Sequence, residues 1–309
     1  MMTTTPQWQQ DFERWIEDGT SASTRRAYQR DVHYYWHWVK THFDIVEHYP
    51  TSIEHVLQFC LYHIDSHSPC PLKLSTLRRY LASLSIKHKE HGVMSPTAHG
   101  KVRLLLRRAK AAKQEHTDKK AAITLDILNA LIATCDSSVT GIRDKAILLV
   151  GFSAGGRRRA EIVNIRVEDL NKTKDGYLLT IQKSKTDQTG KGFIVPVFGQ
   201  AAFALKAWLI KSGLRSGPLF RGIKPNDDFY EAISPRTINL IVKRRIKMIG
   251  LNPESFGAHS LRAGFITESS NQGINLTEAM MLSGHKSIKV AQGYCREINL
   301  QTNKASHLL

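Results

Sequence analysis

The 309-residue sequence has few cysteines, no long apolar run and comparatively few acidic residues. Cys60, Cys70, Cys135 and Cys295 form no Cys-x-x-Cys pair, which argues against a zinc site or a disulfide framework and fits a reducing cytosol. The longest apolar run, 146–152, is far shorter than the roughly 20 residues of a membrane-spanning helix. Residues 1–7 lack the charged start and apolar centre of a signal peptide. We therefore expect a cytoplasmic protein without a membrane partner.

The deficit of acidic residues leaves a strong positive charge. Lysines and arginines number 44 against 27 aspartates and glutamates, so the formal net charge is +17. Because 41% of the residues are hydrophobic, the chain can bury a core, which excludes a disordered basic tail. A folded chain with this excess most often binds a polyanion, and nucleic acid is the first candidate. The alternative is a basic protein whose charge serves only solubility.

A polar, charged stretch at 109–122 predicts an exposed linker between two domains, 1–117 and 118–309. The first domain is expected to be a helical bundle, because apolar residues recur at helical spacing. Its four predicted helices span 23–39, 53–66, 75–91 and 95–113, with Ser23 as the first N-cap and Pro96 in the last helix's first turn. Basic residues lie along the polar faces of three of these helices. Such faces are either simply exposed to solvent or form a DNA-binding surface.

The second domain is predicted to be mostly helical, with one small antiparallel sheet. Strands at 176–182 and 193–197, joined by a polar turn, indicate a β-hairpin. Helices are expected from residue 125 onward and at 141–151, 200–211, 234–249, 260–272 and 276–282. The predicted fold class is therefore mainly α.

Two sequence patterns in this domain place cationic side chains where they could bind an anion or deliver a proton. Arg158 and Glu161 are spaced i, i+3, so on a helix the carboxylate can hold the guanidinium in place. Lys185 lies in the hairpin turn, from which a lysine can deliver a proton or bind a phosphate. Each pattern alone is also compatible with an ordinary exposed turn.

Further along the chain, His259 and Arg262 share one face of a predicted helix start, where both can converge on one anion. Gly284-His285 follows the next helix, and Tyr294 lies nine residues after that histidine. Histidines and tyrosines at such places are usually packing residues. The functional interpretation depends on the order of all the patterns together.

That order, Arg-x-x-Glu, hairpin lysine, His-x-x-Arg, Gly-His and tyrosine, resembles the tyrosine recombinases, also called the phage integrase family, which includes Cre and the Xer proteins. Residues 21–28 are similar to the start of the family's SAM-like core-binding domain. Arg157 departs from the family pattern, which usually has an apolar residue before the first arginine. The resemblance implies six catalytic residues: Arg158, Lys185, His259, Arg262, His285 and Tyr294.

The family's chemistry assigns Tyr294 as the nucleophile that attacks a DNA phosphodiester and forms a 3′-phosphotyrosyl bond. Arg158 and Arg262 would meet the charge that develops on the non-bridging oxygens. Because the bond energy is kept in the intermediate, rejoining needs neither ATP nor a metal ion, and we expect no cofactor.

The remaining roles concern protons. His259 would accept or relay the proton of the tyrosine, whose reference pKa is about 10. Lys185 would protonate the departing 5′ oxygen, and His285 would hydrogen-bond the phosphate.

The resemblance implies a site-specific recombinase that integrates, excises or resolves DNA. Its DNA partners would be double-stranded recombination sites. A homo-tetramer would bind two such sites, and accessory DNA-bending proteins could take part. Apolar residues after Tyr294 are expected to dock on a neighbouring protomer or to pack within their own chain. Two rivals stay open: a type IB topoisomerase or telomere resolvase, and a DNA-binding regulator that descends from a recombinase and is no longer catalytic.

Overall fold

A computed structural model describes residues 6–113, 120–182 and 192–293. The chain divides into two compact units, Met1–Asp118 and Lys119–Leu309. None of the described helices combines the length and the apolar character that a bilayer crossing requires.

The regular elements of the described first unit are all helices. Its core consists mainly of aromatic and aliphatic side chains from the second, third, fourth and fifth helices, among which Val39, Phe59 and Leu77 have no exposed surface. This confirms the predicted helical bundle. The helices are α1 (Gln7–Asp18), α2 (Ala22–Phe43), α3 (Ile53–Ile64), α4 (Leu74–Glu90) and α5 (Gly100–Lys113).

Helix α1 was not predicted, α2 runs to Phe43 rather than to residue 39, and two helix starts differ from the prediction. Ser21, not Ser23, is the N-cap of α2, and its Oγ accepts a hydrogen bond from the Thr24 N–H at 3.3 Å. Pro96 begins a separate 3-10 turn, Pro96–Ala98, rather than the last helix. His99 has an extended backbone between that turn and α5, so a continuous helix cannot form there.

The second unit is mostly helical with a three-stranded antiparallel sheet of order β1-β2-β3, which confirms the predicted fold class. In the predicted hairpin, Leu179 pairs with Val195 and both are fully buried. The first strand was not predicted, because three residues are too few to show an alternating pattern. The elements are α6 (Leu125–Ala133), α7 (Val139–Ser153), α8 (Arg159–Asn164), β1 (Leu170–Lys172), β2 (Gly176–Ile181), β3 (Phe193–Phe198), α9 (Gly199–Ser212), α10 (Pro235–Met248), α11 (Ala258–Asn271), α12 (Leu276–Ser283) and α13 (Ile288–Gln292).

A buried ion cluster connects α7 to α10. Asp144 has no exposed surface, and its carboxylate accepts a hydrogen bond from the neighbouring Arg143 at 2.8 Å. From α10, Arg245 donates at 2.8 Å to the other carboxylate oxygen, which Arg244 also contacts. A buried carboxylate is tolerated only when such partners replace its hydration.

The chain enters the second unit along the start of α11. The N–H groups of Ala121 and Ile123 donate to the carbonyls of Ser255 and Ser260, at 2.8 and 3.0 Å. The backbone also passes so close to Gly264 that a Cβ there would lie 1.9 Å from the Ile123 carbonyl oxygen. The entering segment is therefore bound directly to the helix that carries His259 and Arg262.

Candidate active site

Two glycines at the end of α7 bring the turn before α8 against two other helices. Gly155 and Gly156 have φ angles of +91° and +68°, which only glycine adopts readily. A Cβ on Gly155 would lie 2.4 Å from the Leu282 carbonyl oxygen, and one on Gly156 would lie 2.5 Å from the Arg262 Cα. The glycine pair therefore allows this turn to touch α11 and α12 together.

Arg158 follows this turn as the N-cap of α8. The buried Glu161 carboxylate accepts from the Arg158 backbone N–H at 3.1 Å and from its Nη1 at 2.6 Å. The contact confirms the prediction that the carboxylate holds this guanidinium. The Arg158 side chain keeps 27% of its surface exposed, so a ligand can still reach it.

Arg262 lies on α11 and is only 1% exposed. Its Nη1 donates to the carbonyl oxygens of Gly156 at 3.1 Å and Ser283 at 2.6 Å. Its Nε donates to His285 Nε2 at 3.2 Å. These bonds hold the guanidinium between the α7–α8 turn and the end of α12.

His285 comes directly after Gly284, which ends α12 in the left-handed conformation at φ +68°. Because Arg262 Nε is always a donor, His285 Nε2 accepts, and the ring proton lies on Nδ1, 2.7 Å from Ser283 Oγ. Burial and the charges of Arg262 and Arg158 lower the His285 pKa to about 4. His285 is therefore neutral near pH 7, and described protein groups engage both of its nitrogens.

His259 lies in the first turn of α11 and keeps a solvent-exposed face. The protein packed around the rest of the ring lowers its pKa, and the charges of Arg262 and Arg158 lower it further. His259 is therefore also neutral near pH 7 and lies within the field of both guanidiniums.

Four of the six expected site residues thus come together: Arg158, His259, Arg262 and His285. Lys185 and Tyr294 lie outside the described residues. The sequence did not single out Ser283, because a serine two residues before a histidine forms no recognisable pattern. It also gave no indication that Arg157, in the same turn as Arg158, is fully buried.

Comparisons with known proteins identify the family. A family model described as the phage integrase family matches residues 122–299. An integrase/recombinase xerD homolog of Selenomonas ruminantium is 30% identical over 303 residues, which cover 94% of this chain and 86% of that protein. The tyrosine recombinase XerC of Thermodesulfovibrio yellowstonii is 28% identical over 288 residues, covering 90% and 87%.

A solved structure shares the fold. The chain matches a lambda integrase fragment, solved as a dimer bound to a COC′ core site, with a TM-score of 0.61 and 18% identity, over 94% of this chain and 95% of that one. Fold and site together define a tyrosine recombinase. The chain belongs to the phage integrase family. It is a site-specific DNA recombinase, and its partner is DNA.

Proposed function

We propose that this recombinase cuts and rejoins DNA through a 3′-phosphotyrosyl intermediate formed by Tyr294. The observation that carries the proposal is the convergence of two guanidiniums and two neutral imidazoles where the α7–α8 turn meets α11 and the end of α12. A site of this composition suits an anion that gains negative charge during the reaction.

The two arginines bind the scissile phosphate in this mechanism. Each is fixed before DNA arrives, Arg158 by Glu161 and Arg262 by backbone carbonyls, so little reorganisation is needed when charge develops. Guanidiniums can also donate paired hydrogen bonds to the two non-bridging oxygens, which a lysine cannot do.

Proton transfer is assigned to His259 and Lys185. Neutral His259 accepts the proton of the attacking phenol, directly or through a relay, since an imidazolium has no free lone pair. Lys185 protonates the departing 5′ oxygen. In the DNA-free structure His285 accepts a hydrogen bond from Arg262 Nε and is bonded to Ser283 Oγ. To contact the phosphate, its ring must give up one of these two hydrogen bonds.

Strand exchange follows from the intermediate. The phosphotyrosyl bond retains the energy of the phosphodiester, so a 5′ hydroxyl from another strand can displace Tyr294. The biological outcome is integration, excision or resolution of DNA multimers.

We further propose that a homo-tetramer acts on two DNA sites in the cytoplasm. In each protomer the core-binding domain, 1–117, and the catalytic domain, 118–309, both bind DNA, and accessory DNA-bending proteins can assist. The dimer on DNA reported for the lambda integrase fragment supports an assembly of several protomers. Apolar residues in the C-terminal segment suit docking on a neighbour: Ile298, Leu300, Leu308 and Leu309.

The test first searches the DNA that flanks the gene for short inverted repeats and then builds a nicked duplex from the repeats found. Wild-type protein should form a covalent protein–DNA complex that survives denaturation, and Tyr294→Phe should bind the duplex without forming it. Tyr230→Phe, which removes a phenol from a half-exposed tyrosine, is the matched control and should react as wild type does. A covalent complex in Tyr294→Phe would refute the assignment of the nucleophile.

The rivals predict other products. A plasmid carrying two sites should yield exchanged products with a recombinase, but only relaxation with a topoisomerase and hairpin ends with a telomere resolvase. A regulator without catalysis would bind the duplex and give no covalent complex even as wild type.

A further inference from the structure

Arg157, which stands where the family usually has an apolar residue, is fully buried. Its Nη2 contacts the Leu282 carbonyl oxygen and donates to the Gly155 carbonyl at 3.3 Å. Its guanidinium carbon lies 5.0 Å from the centre of the Phe193 ring, and its Nη1 is 3.7 Å from Glu161 Oε2. The side chain is therefore enclosed by protein groups on the described residues around it.

These contacts reach three segments that carry site residues. Leu282 lies in the last turn of α12, three residues before His285. Glu161 is the carboxylate that binds Arg158. Phe193 is the first residue of β3, on the hairpin whose turn contains Lys185. The Arg157 guanidinium thus contacts the carboxylate that binds Arg158, the helix end that precedes His285, and the strand that follows Lys185 in the chain.

Arg157 and Arg262 together bind the end of α12. Arg157 contacts the Leu282 carbonyl and Arg262 donates to the next one, Ser283. The last carbonyls of a helix lack intrahelical partners and carry partial negative charge, so cationic donors suit them. The two guanidiniums therefore hold the backbone immediately before Gly284 and His285.

Packing alone does not explain an arginine at this position. An apolar side chain would fill the space without removing a charge from water. Burial lowers the Arg157 pKa to about 10, so the side chain still carries its charge near pH 7. Among the described residues, its Nε and Nη1 have no hydrogen-bond acceptor.

We propose that Arg157 is a positioning residue that fixes the end of α12, and with it His285, relative to the Arg158 turn and the base of the hairpin. It acts through these neighbours and does not touch the substrate. The inference rests on the proposed function, because it concerns the same site.

The experiment compares Arg157→Leu and Arg157→Lys with Arg215→Leu, which removes an exposed arginine from the same unit. Covalent complex formation is measured in single turnover on the nicked duplex, at a temperature where circular dichroism shows each variant folded. We expect Arg157→Leu to slow the reaction about 10- to 100-fold, because displacements near 1 Å have effects of that order. DNA affinity should change much less than the rate, since the buried side chain does not touch the substrate. Arg157→Lys should restore part of the rate, and Arg215→Leu should react as wild type does.

A second readout needs neither DNA nor activity. The charge of Arg157 is among those that lower the His285 pKa, so Arg157→Leu should raise the His285 titration midpoint above its value of about 4. Because Arg157→Leu removes that charge whatever else the residue does, Arg157→Lys is the decisive variant: it keeps a cation, so a residue that contributed only to stability would leave the midpoint at its wild-type value there. The midpoint is followed by NMR of the ring protons and assigned by its loss in His285→Gln.

The outcomes separate the two proposals. If wild type forms the Tyr294-dependent complex and folded Arg157→Leu reacts at the same rate, the positioning role is overturned, whereas the proposed function stands. An equal loss of DNA affinity and rate also overturns it. If Arg157→Leu does not fold, Arg157→Lys decides: a reduced rate with a shifted His285 midpoint supports the proposal, and wild-type values of both overturn it.

Discussion

Glu161 binds Arg158 at two points, accepting from its backbone N–H at 3.1 Å and from its Nη1 at 2.6 Å. One carboxylate therefore fixes both the place where α8 begins and the direction of the guanidinium. The arginine side chain stays partly exposed, while the glutamate is buried beside it.

Replacement of this carboxylate should impair chemistry more than DNA binding. Glu161→Gln keeps the shape but removes the charge that orients Arg158, so we expect covalent complex formation to slow about 100-fold, as when one transition-state donor is lost. The free energy of unfolding should fall by about 3 kcal/mol, because Arg157 and Arg158 lose their buried counter-ion. Single-turnover cleavage and denaturant unfolding measure the two effects.

Glu231→Gln, at an exposed position in the same unit, provides the control and should change neither quantity appreciably. A Glu161→Gln protein that cleaves at the wild-type rate would show that Arg158 is oriented by other groups.

Both site histidines should titrate below the ordinary imidazole pKa of 6.5 in the DNA-free protein. His285 should reach half-protonation near pH 4, because burial and the charges of Arg262 and Arg158 disfavour its protonated ring. The pKa of His259 should also be lowered, since burial and the same two cationic neighbours disfavour its charged form. NMR titration checks this, with His259→Asn and His285→Gln assigning the signals. Midpoints near 6.5 for both would contradict the described geometry.

The first unit should lose stability in mild acid. His88 is fully buried; its Nδ1 donates to the Leu84 carbonyl and its Nε2 accepts from the Thr51 N–H, so the neutral ring satisfies both partners. Burial lowers the pKa of His88 and of the equally buried His63. The unfolded chain then takes up protons near pH 6.5 while the folded unit does not. Stability is complete above that pH and decreases as the pH falls towards the lowered pKa values.

Hydrogen exchange of the amides in α4, corrected for the intrinsic effect of pH, measures this loss. His88→Gln should flatten the pH dependence, because glutamine does not titrate. His37→Gln, at an exposed position on α2, is the matched control and should leave the dependence as it is. Equal protection at pH 7 and pH 5 in wild type would contradict the prediction.

Much of the fold was accessible from sequence, because most buried faces repeat at helical or strand spacing. Helix α7 and the β2–β3 hairpin are examples in which local pattern and final structure agree. Helix α1 was not predicted, although its apolar residues recur at helical spacing. In the structure Trp8 and Trp15 are about 70% exposed, and no described residue of this helix belongs to the core. Ser21 was missed as a cap, because Ser21 and Ser23 are equally suitable by residue type.

The residue types of the site could be predicted from the sequence, but the contacts that hold those residues in place could not. The pattern 157–159 consists of three arginines that sequence cannot tell apart by environment. In the structure Arg157 is buried, Arg158 is partly exposed and Arg159 is exposed. That division depends on contacts with Leu282 and Phe193, which are distant in sequence. Likewise, the neutral state of His285 follows from its burial and from the charges of Arg262 and Arg158, which come from other helices.

The arginines around Asp144 should respond to salt differently from those that grip DNA. Contacts to phosphates release counter-ions, so added salt weakens DNA binding steeply. Ions screen exposed charges beyond about 8 Å at physiological ionic strength, but they screen much less the buried pairs that Asp144 forms with Arg143 and Arg245. Concentrated salt should therefore dissociate nucleic acid from the protein during purification, while the ion pairs between α7 and α10 persist.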